Sequence, residues 1–154
     1  MRTGGGFSLV ELVVTITIVT ILATVAIPSY QQFVRRAVRA EARATMLDMS
    51  LLQERFFTSC NTYLPVSAGA ALTGATTCAS ATAGAGWKNY SGSSFSSRKY
   101  NIAVAAGTGQ TIATSFLITA TPSNGYSDAQ CGSLSLDSFG TRGNSAGTVA
   151  ECWK

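Results

Sequence analysis

Seven Asp or Glu, eleven Lys or Arg and four cysteines make up the charged and redox-active side chains of this 154-residue chain, which contains no histidine. The commonest general base and the commonest transition-metal ligand are therefore both missing. The acids Glu11, Glu41, Asp48, Glu54, Asp128, Asp137 and Glu151 form no evident catalytic pair or nucleophile–base set, so an enzyme is not expected and no cofactor is called for. The cysteines are Cys60, Cys78, Cys131 and Cys152. None falls in a C-x-x-C pair, which argues against zinc and against thioredoxin-like redox chemistry. An even count confined to the part after the N-terminal segment reads as two disulfides in an oxidising compartment, and sequence alone permits three pairings. A net charge of +4 is too weak by itself to imply nucleic acid.

One carboxylate stands apart. Glu11 is the only charged residue between positions 7 and 34. A carboxylate inside an apolar helix costs on the order of 2.5–3.5 kcal/mol on insertion scales and is functional by default. It needs a partner, and no cation lies within a turn or two.

The element that must position Glu11 is the run 12–27, apolar apart from four threonines whose hydroxyls can bond back to the helix backbone. With its flanks it reaches the ~20 residues that span a bilayer core. An ordinary signal peptide has a longer basic region before the run and a small-residue cleavage site after it; here Pro28-Ser29-Tyr30 follows. Something must carry the cysteines across a membrane. A simple count of Arg2 against Arg35, Arg36, Arg39 and Arg43 would leave the C-terminal part in the cytoplasm, the opposite of what the cysteines require.

Gly4-Gly5-Gly6, then Phe7-Ser8-Leu9-Val10-Glu11-Leu12, then the apolar run and Pro28, resemble the N-terminal signal of type IV prepilins. The resemblance implies that an inner-membrane prepilin peptidase cuts after Gly6 and N-methylates Phe7, which makes Glu11 the fifth residue of the mature chain. It also supplies the missing partner, the new α-amino group of Phe7 on a neighbouring subunit. The family arrangement, like the cysteines, puts the C-terminal head in the periplasm.

After Pro28 the pattern turns amphipathic. Phe33, Ala37, Ala40, Ala44, Leu47 and Leu51 recur at spacings of 4, 3, 4, 3 and 4 and read as one helical face, with no Gly or Pro between 29 and 59. Pro28 removes one backbone hydrogen bond and crowds the Thr24 carbonyl, so a bend is expected there. The arginines read as a solvated face, with Arg36 and Arg39 able to reach lipid phosphate or acidic residues of adjacent subunits. Residues 66–94 are mostly Ala, Gly, Ser and Thr and should be irregular. Tyr100, Ile102 and Val104 alternate as a strand; Ile112, Phe116 and Ile118 repeat the period up to Pro122; Gly107-Thr108-Gly109 reads as the turn between them. Leu134 and Leu136 mark a third strand.

The tail, from Cys131-Gly132-Ser133-Leu134 to Glu151-Cys152-Trp153-Lys154, looks like the C-terminal disulfide region of PilE-like minor pilins. Local closure and that family's tail loop favour Cys60–Cys78 and Cys131–Cys152. The expected fold is α+β: a long N-terminal transmembrane and amphipathic helix packed on a three- or four-stranded antiparallel sheet with a C-terminal disulfide loop. The expected organisation is a leader at 1–6, a transmembrane and filament-core helix at 7–34, an amphipathic half at 35–58, an αβ-loop at 59–98 and a sheet head at 99–154. The function implied is that of a structural subunit, a minor pilin, of a type IV pilus serving motility or adhesion. Its partners would be other pilin subunits, the prepilin peptidase, the inner-membrane assembly platform and the inner membrane before assembly, with extracellular pilus as the destination. A pseudopilin of type II secretion shares the N-terminal signal but usually lacks the C-terminal cysteine pair. A DNA-binding competence pilin would use exposed cations, for which Lys88, Arg98, Lys99, Arg142 and Lys154 are candidates.

Overall fold

The computed structural model describes residues 8–80 and 83–154. The chain divides into two units, Met1–Arg36 and Ala37–Lys154. Helix α1 (Leu9–Cys60) contributes to both and carries Pro28 inside it without a break in the helix. In the first unit the apolar side chains of α1 are exposed, and a membrane-length window near its N-terminus is 0% buried.

In the second unit α1 has one buried face, made of Arg39, Ala42, Thr45, Met46, Met49, Gln53 and Phe56. These side chains share a core with four antiparallel strands in the order β1 (Tyr100–Ala106), β2 (Phe116–Pro122), β3 (Leu134–Asp137) and β4 (Arg142–Asn144). Alternation sets which strand residues face inward: Tyr100, Ile102, Val104, Phe116, Ile118, Ala120, Leu134 and Leu136 are buried, and their neighbours are more exposed. The register sets Val104 opposite Ile118, and Ile118 opposite Leu136, so one row of branched side chains crosses three strands.

Two expectations from the sequence are corrected here. The apolar face read from Phe33 to Leu51 is not the one that meets the head: Phe33, Leu47 and Leu51 are 69%, 47% and 60% exposed. The core takes the opposite side, which includes two methionines, a glutamine and an arginine, because internal hydrogen bonds satisfy the polar groups there. Ile112 is not in a strand; β2 starts at Phe116, and Ile112 sits in the connection with its carbonyl accepting from Tyr63 N at 3.2 Å. The sheet has four strands, within the three or four expected; the fourth, β4, is the stretch Arg142–Asn144, where no alternation of apolar residues is available to place it.

The loop between α1 and β1 has no helix or long strand among its described residues, yet its backbone is held. Gln53 clamps it from α1: its side-chain amide donates to Leu64 O at 2.6 Å and its carbonyl accepts from Leu64 N at 2.9 Å. Val66 and Val104 exchange two backbone bonds of 3.0 and 2.9 Å, and Asn89 O accepts from Ile102 N at 2.7 Å. The free edge of β1 is thus covered by loop segments. The short helix α2 (Val149–Cys152) is capped by Thr148, and Trp153 Nε1 donates back to Gly143 O at 3.0 Å.

The two faces of α1 give a direct test. Met46→Ala empties a fully buried site and should cost about 2–5 kcal/mol, whereas Leu47→Ser should stay within roughly 0.5 kcal/mol. Urea unfolding of a 37–154 fragment measures both; equal losses would contradict this assignment of the faces.

Candidate functional site

The N-terminal half of α1 is the first functional feature. Glu11 lies in its first turn, where the exposed amides of a helix start favour negative charge. Thr17, Thr20 and Thr24 each return their hydroxyl to a backbone carbonyl of the preceding turn at 2.7 Å, to Val13, Ile16 and Ile21, and Thr15 does the same to Glu11. The threonines therefore add no unmet polarity to an apolar surface. Gly6 and Phe7, the expected cleavage and methylation residues, lie outside the described residues. Glu11 and Pro28 are both exposed.

The second feature is a buried ionic node in the head. Arg39 reaches Asp128 through two parallel bonds, Nε to Oδ2 at 2.6 Å and a terminal nitrogen to Oδ1 at 2.7 Å, and each residue is 3% exposed. Tyr100 donates its hydroxyl to Asp128 at 2.8 Å, and the amides of Gln130 and Cys131 donate to the same carboxylate at 3.2 Å. Burial alone would raise the Asp128 pKa, but the bonds from Arg39, Tyr100 and Cys131 outweigh it and hold the carboxyl below its ordinary value. The Asp128 hydrogen bond raises the Arg39 pKa, and burial followed by the Asp128 bond raises that of Tyr100. The expectation that Arg39 reaches lipid or a neighbouring subunit is thereby corrected. Asp128 gave no sign in the sequence, since the pair is 89 residues apart and no local pattern links them.

The structure bonds Cys60 to Cys78, with Cα atoms 5.1 Å apart, and Cys131 to Cys152, at 5.7 Å. The first bridge ties the end of α1 to the loop. The second is buried beside Asp128 and ties the strap before β3 to α2.

The third feature is a set of cations at opposite edges of the sheet. Before and beside β1, Lys88 sits 5.2 Å over the ring of Tyr90 and Arg98 sits 3.8 Å over Phe95, with Lys99 exposed next to them. At the β4 edge Arg142 stands 5.5 Å over Trp153. A groove of about 340 Å³ there lies between α1 and the tail, with Ala40, Ala44 and Leu47 on one wall and Arg43, Arg142, Trp153 and Lys154 around it. Arg43, Arg142 and Lys154 make the groove positive, and burial, then the fields of Arg39 and Arg142, lower the Arg43 pKa. Among the described residues no cluster of acids and cysteines could hold a metal ion.

Residues 28–135 match the family described as type IV minor pilin ComP, DNA uptake sequence receptor, and residues 1–27 match the prokaryotic N-terminal methylation motif. A curated relative, the type IV major pilin protein PilA of Myxococcus xanthus, is 34% identical over 58 residues, 38% of this chain. The match spans 26% of that relative's length. Among solved structures, a type IV pilin from Shewanella oneidensis aligns with a TM-score of 0.40 and 21% identity, covering 70% of this chain and 88% of that one.

The node predicts a pH dependence. The Asp128 pKa is lower in the folded than in the unfolded chain, so its contribution is complete above about pH 4 and is lost as pH falls through the folded value. Asp128→Asn strands a buried guanidinium and should cost about 3–5 kcal/mol at neutral pH. Urea midpoints across acid pH should show the gap between wild type and variant closing; a gap unchanged to pH 2 would refute an ionised Asp128.

Proposed function

This chain belongs to the ComP family of type IV minor pilins, a structural subunit of the pilus that associates with other pilin subunits, and from that premise we propose how it enters the filament. The observation that carries the proposal is the N-terminal half of α1, whose apolar side chains are exposed among the described residues. Lipid covers it first and the helices of other subunits cover it in the filament. The inner-membrane peptidase removes residues 1–6 after Gly6 and methylates Phe7; the methylation motif matched at 1–27 supports this. The head, with its two disulfides, faces the periplasm, and the assembly platform lifts the subunit out of the membrane. The five segments at 1–6, 7–34, 35–58, 59–98 and 99–154 then serve as leader, filament core, head support, surface loop and sheet head.

Glu11 sets the axial register by pairing with the Phe7 amine of a neighbour, and Pro28 lets the apolar half adjust its path in the bundle. The pairing makes a clear prediction. Glu11→Val should insert at least as well, because the charged form is costly in lipid. It should be processed yet enter pili poorly, since an unpaired amine in the filament core loses roughly 3–5 kcal/mol per contact. Immunoblots of membrane and sheared-pilus fractions measure this; a normal amount in pili would exclude Glu11 as an assembly determinant.

A second reading is favoured by the cation–aromatic pairs on the head and by the family's description as a DNA uptake sequence receptor. Lys88, Arg98 and Lys99, beside Tyr90 and Phe95, offer phosphate contacts next to ring faces. A 35–154 fragment should bind duplex DNA with an affinity that falls steeply with salt, and Arg98→Ala with Lys99→Ala should weaken it. No measurable binding at low salt would remove this reading.

A further inference from the structure

The exposed face of α1 in the head is a continuous apolar stripe. Ala37, Ala40, Ala44, Leu47 and Leu51 alternate at spacings of 3 and 4, all are exposed, and the core lies on the other side of the helix. Counted back in the same alternation, the sequence continues through Phe33 and Tyr30 to Val19, Ile16, Leu12 and Leu9. No charged residue falls on the stripe; Glu11 and Pro28 are both off it. A sustained 3-4 alternation averages 3.5 residues, the period that keeps one seam facing a partner helix in a left-handed coiled coil.

The flanks of the seam name the partner. On one flank stand Arg36 and Arg43, and on the other Glu41 and Asp48. Each arginine precedes an acid by five residues, the offset at which flanking positions of two parallel, in-register helices meet. Two copies of this chain so arranged set Arg36 against Glu41 and Arg43 against Asp48, twice over by symmetry. An antiparallel arrangement would set like flanks together, arginine toward arginine and acid toward acid. The groove adds to the match: beside the arginine flank lie Arg142 and Lys154, where the partner's acids would come to rest.

We propose that α1 pairs, parallel and in register, with α1 of a second copy of this chain while the subunit resides in the membrane, through the seam at Ala37, Ala40, Ala44, Leu47 and Leu51 and the Arg36–Glu41 and Arg43–Asp48 contacts. The pairing goes beyond the pilus role and does not depend on what the assembled filament binds.

The test uses the full chain in inner membranes of cells unable to extend pili, so that filament contacts do not contribute. Ala40→Cys on the seam is treated with a short bismaleimide, which leaves the native disulfides untouched; Arg35→Cys, off the seam, is the control. A covalent adduct of twice the chain mass should form from Ala40→Cys and not from Arg35→Cys. Arg36→Glu in the Ala40→Cys background should cut the adduct roughly tenfold, because two attractions become two repulsions, and adding Glu41→Arg should restore it. Equal adducts from both cysteines, an adduct with a different pilin instead of a second copy, or indifference to Arg36→Glu would each overturn the proposal. Entry of the same variants into sheared pili in an extending strain is scored separately, so loss of pairing and loss of the pilus role are distinguishable.

Discussion

The constraint on which everything else rests is the uncovered N-terminal half of α1. A helix with an apolar surface of that length cannot be left to water, and among the described residues its membrane-length window is 0% buried. Its hydroxyls are turned back onto its own carbonyls, which removes the polar cost of a lipid environment. The single carboxylate is kept at the helix start, where the helix dipole lowers its cost. A surface built this way can pass from lipid to a bundle of similar helices with little change in solvation, so the difference between the two states is left to a few specific contacts.

The head solves a complementary problem, which is to hold a helix of mixed composition on a small sheet. Apolar area does part of this, through Met46, Met49 and Phe56 against the inward row of β1 to β3. The Arg39–Asp128–Tyr100 node does the rest by joining α1, β1 and the strap that begins at Asp128. Because Asp128 also accepts from the amide of Cys131, the node and the tail disulfide support one another across a few residues. A buried ion pair is a weak source of net stability, but losing one partner is costly, so such a node fixes geometry more than it adds free energy.

Legibility in the sequence followed the range of the interaction. The apolar run, Glu11 inside it, the alternation of β1 and the tail cysteines are local patterns and could be read directly. The buried face of α1 could not, because Leu47 and Leu51 make a better apolar stripe than Met46, Gln53 and Arg39 do. Which stripe is buried depends on partners: Gln53 has the Leu64 backbone and Arg39 has Asp128, and both arrive from far along the chain. The same reasoning explains β4, whose glycine-centred strand is specified by pairing with β3 rather than by its own residues. The stripe that reads in the sequence as one helical face is, in the structure, exposed on the side of α1 away from the sheet.

The central claim is that the subunit leaves the membrane as a processed pilin and becomes part of the filament. Mass spectrometry of sheared, purified pili tests it most directly. The account predicts this chain in the pilus fraction, at a small fraction of the major subunit, with N-methylated Phe7 as its first residue. Recovery of the chain only in membranes, still beginning at Met1, would contradict it.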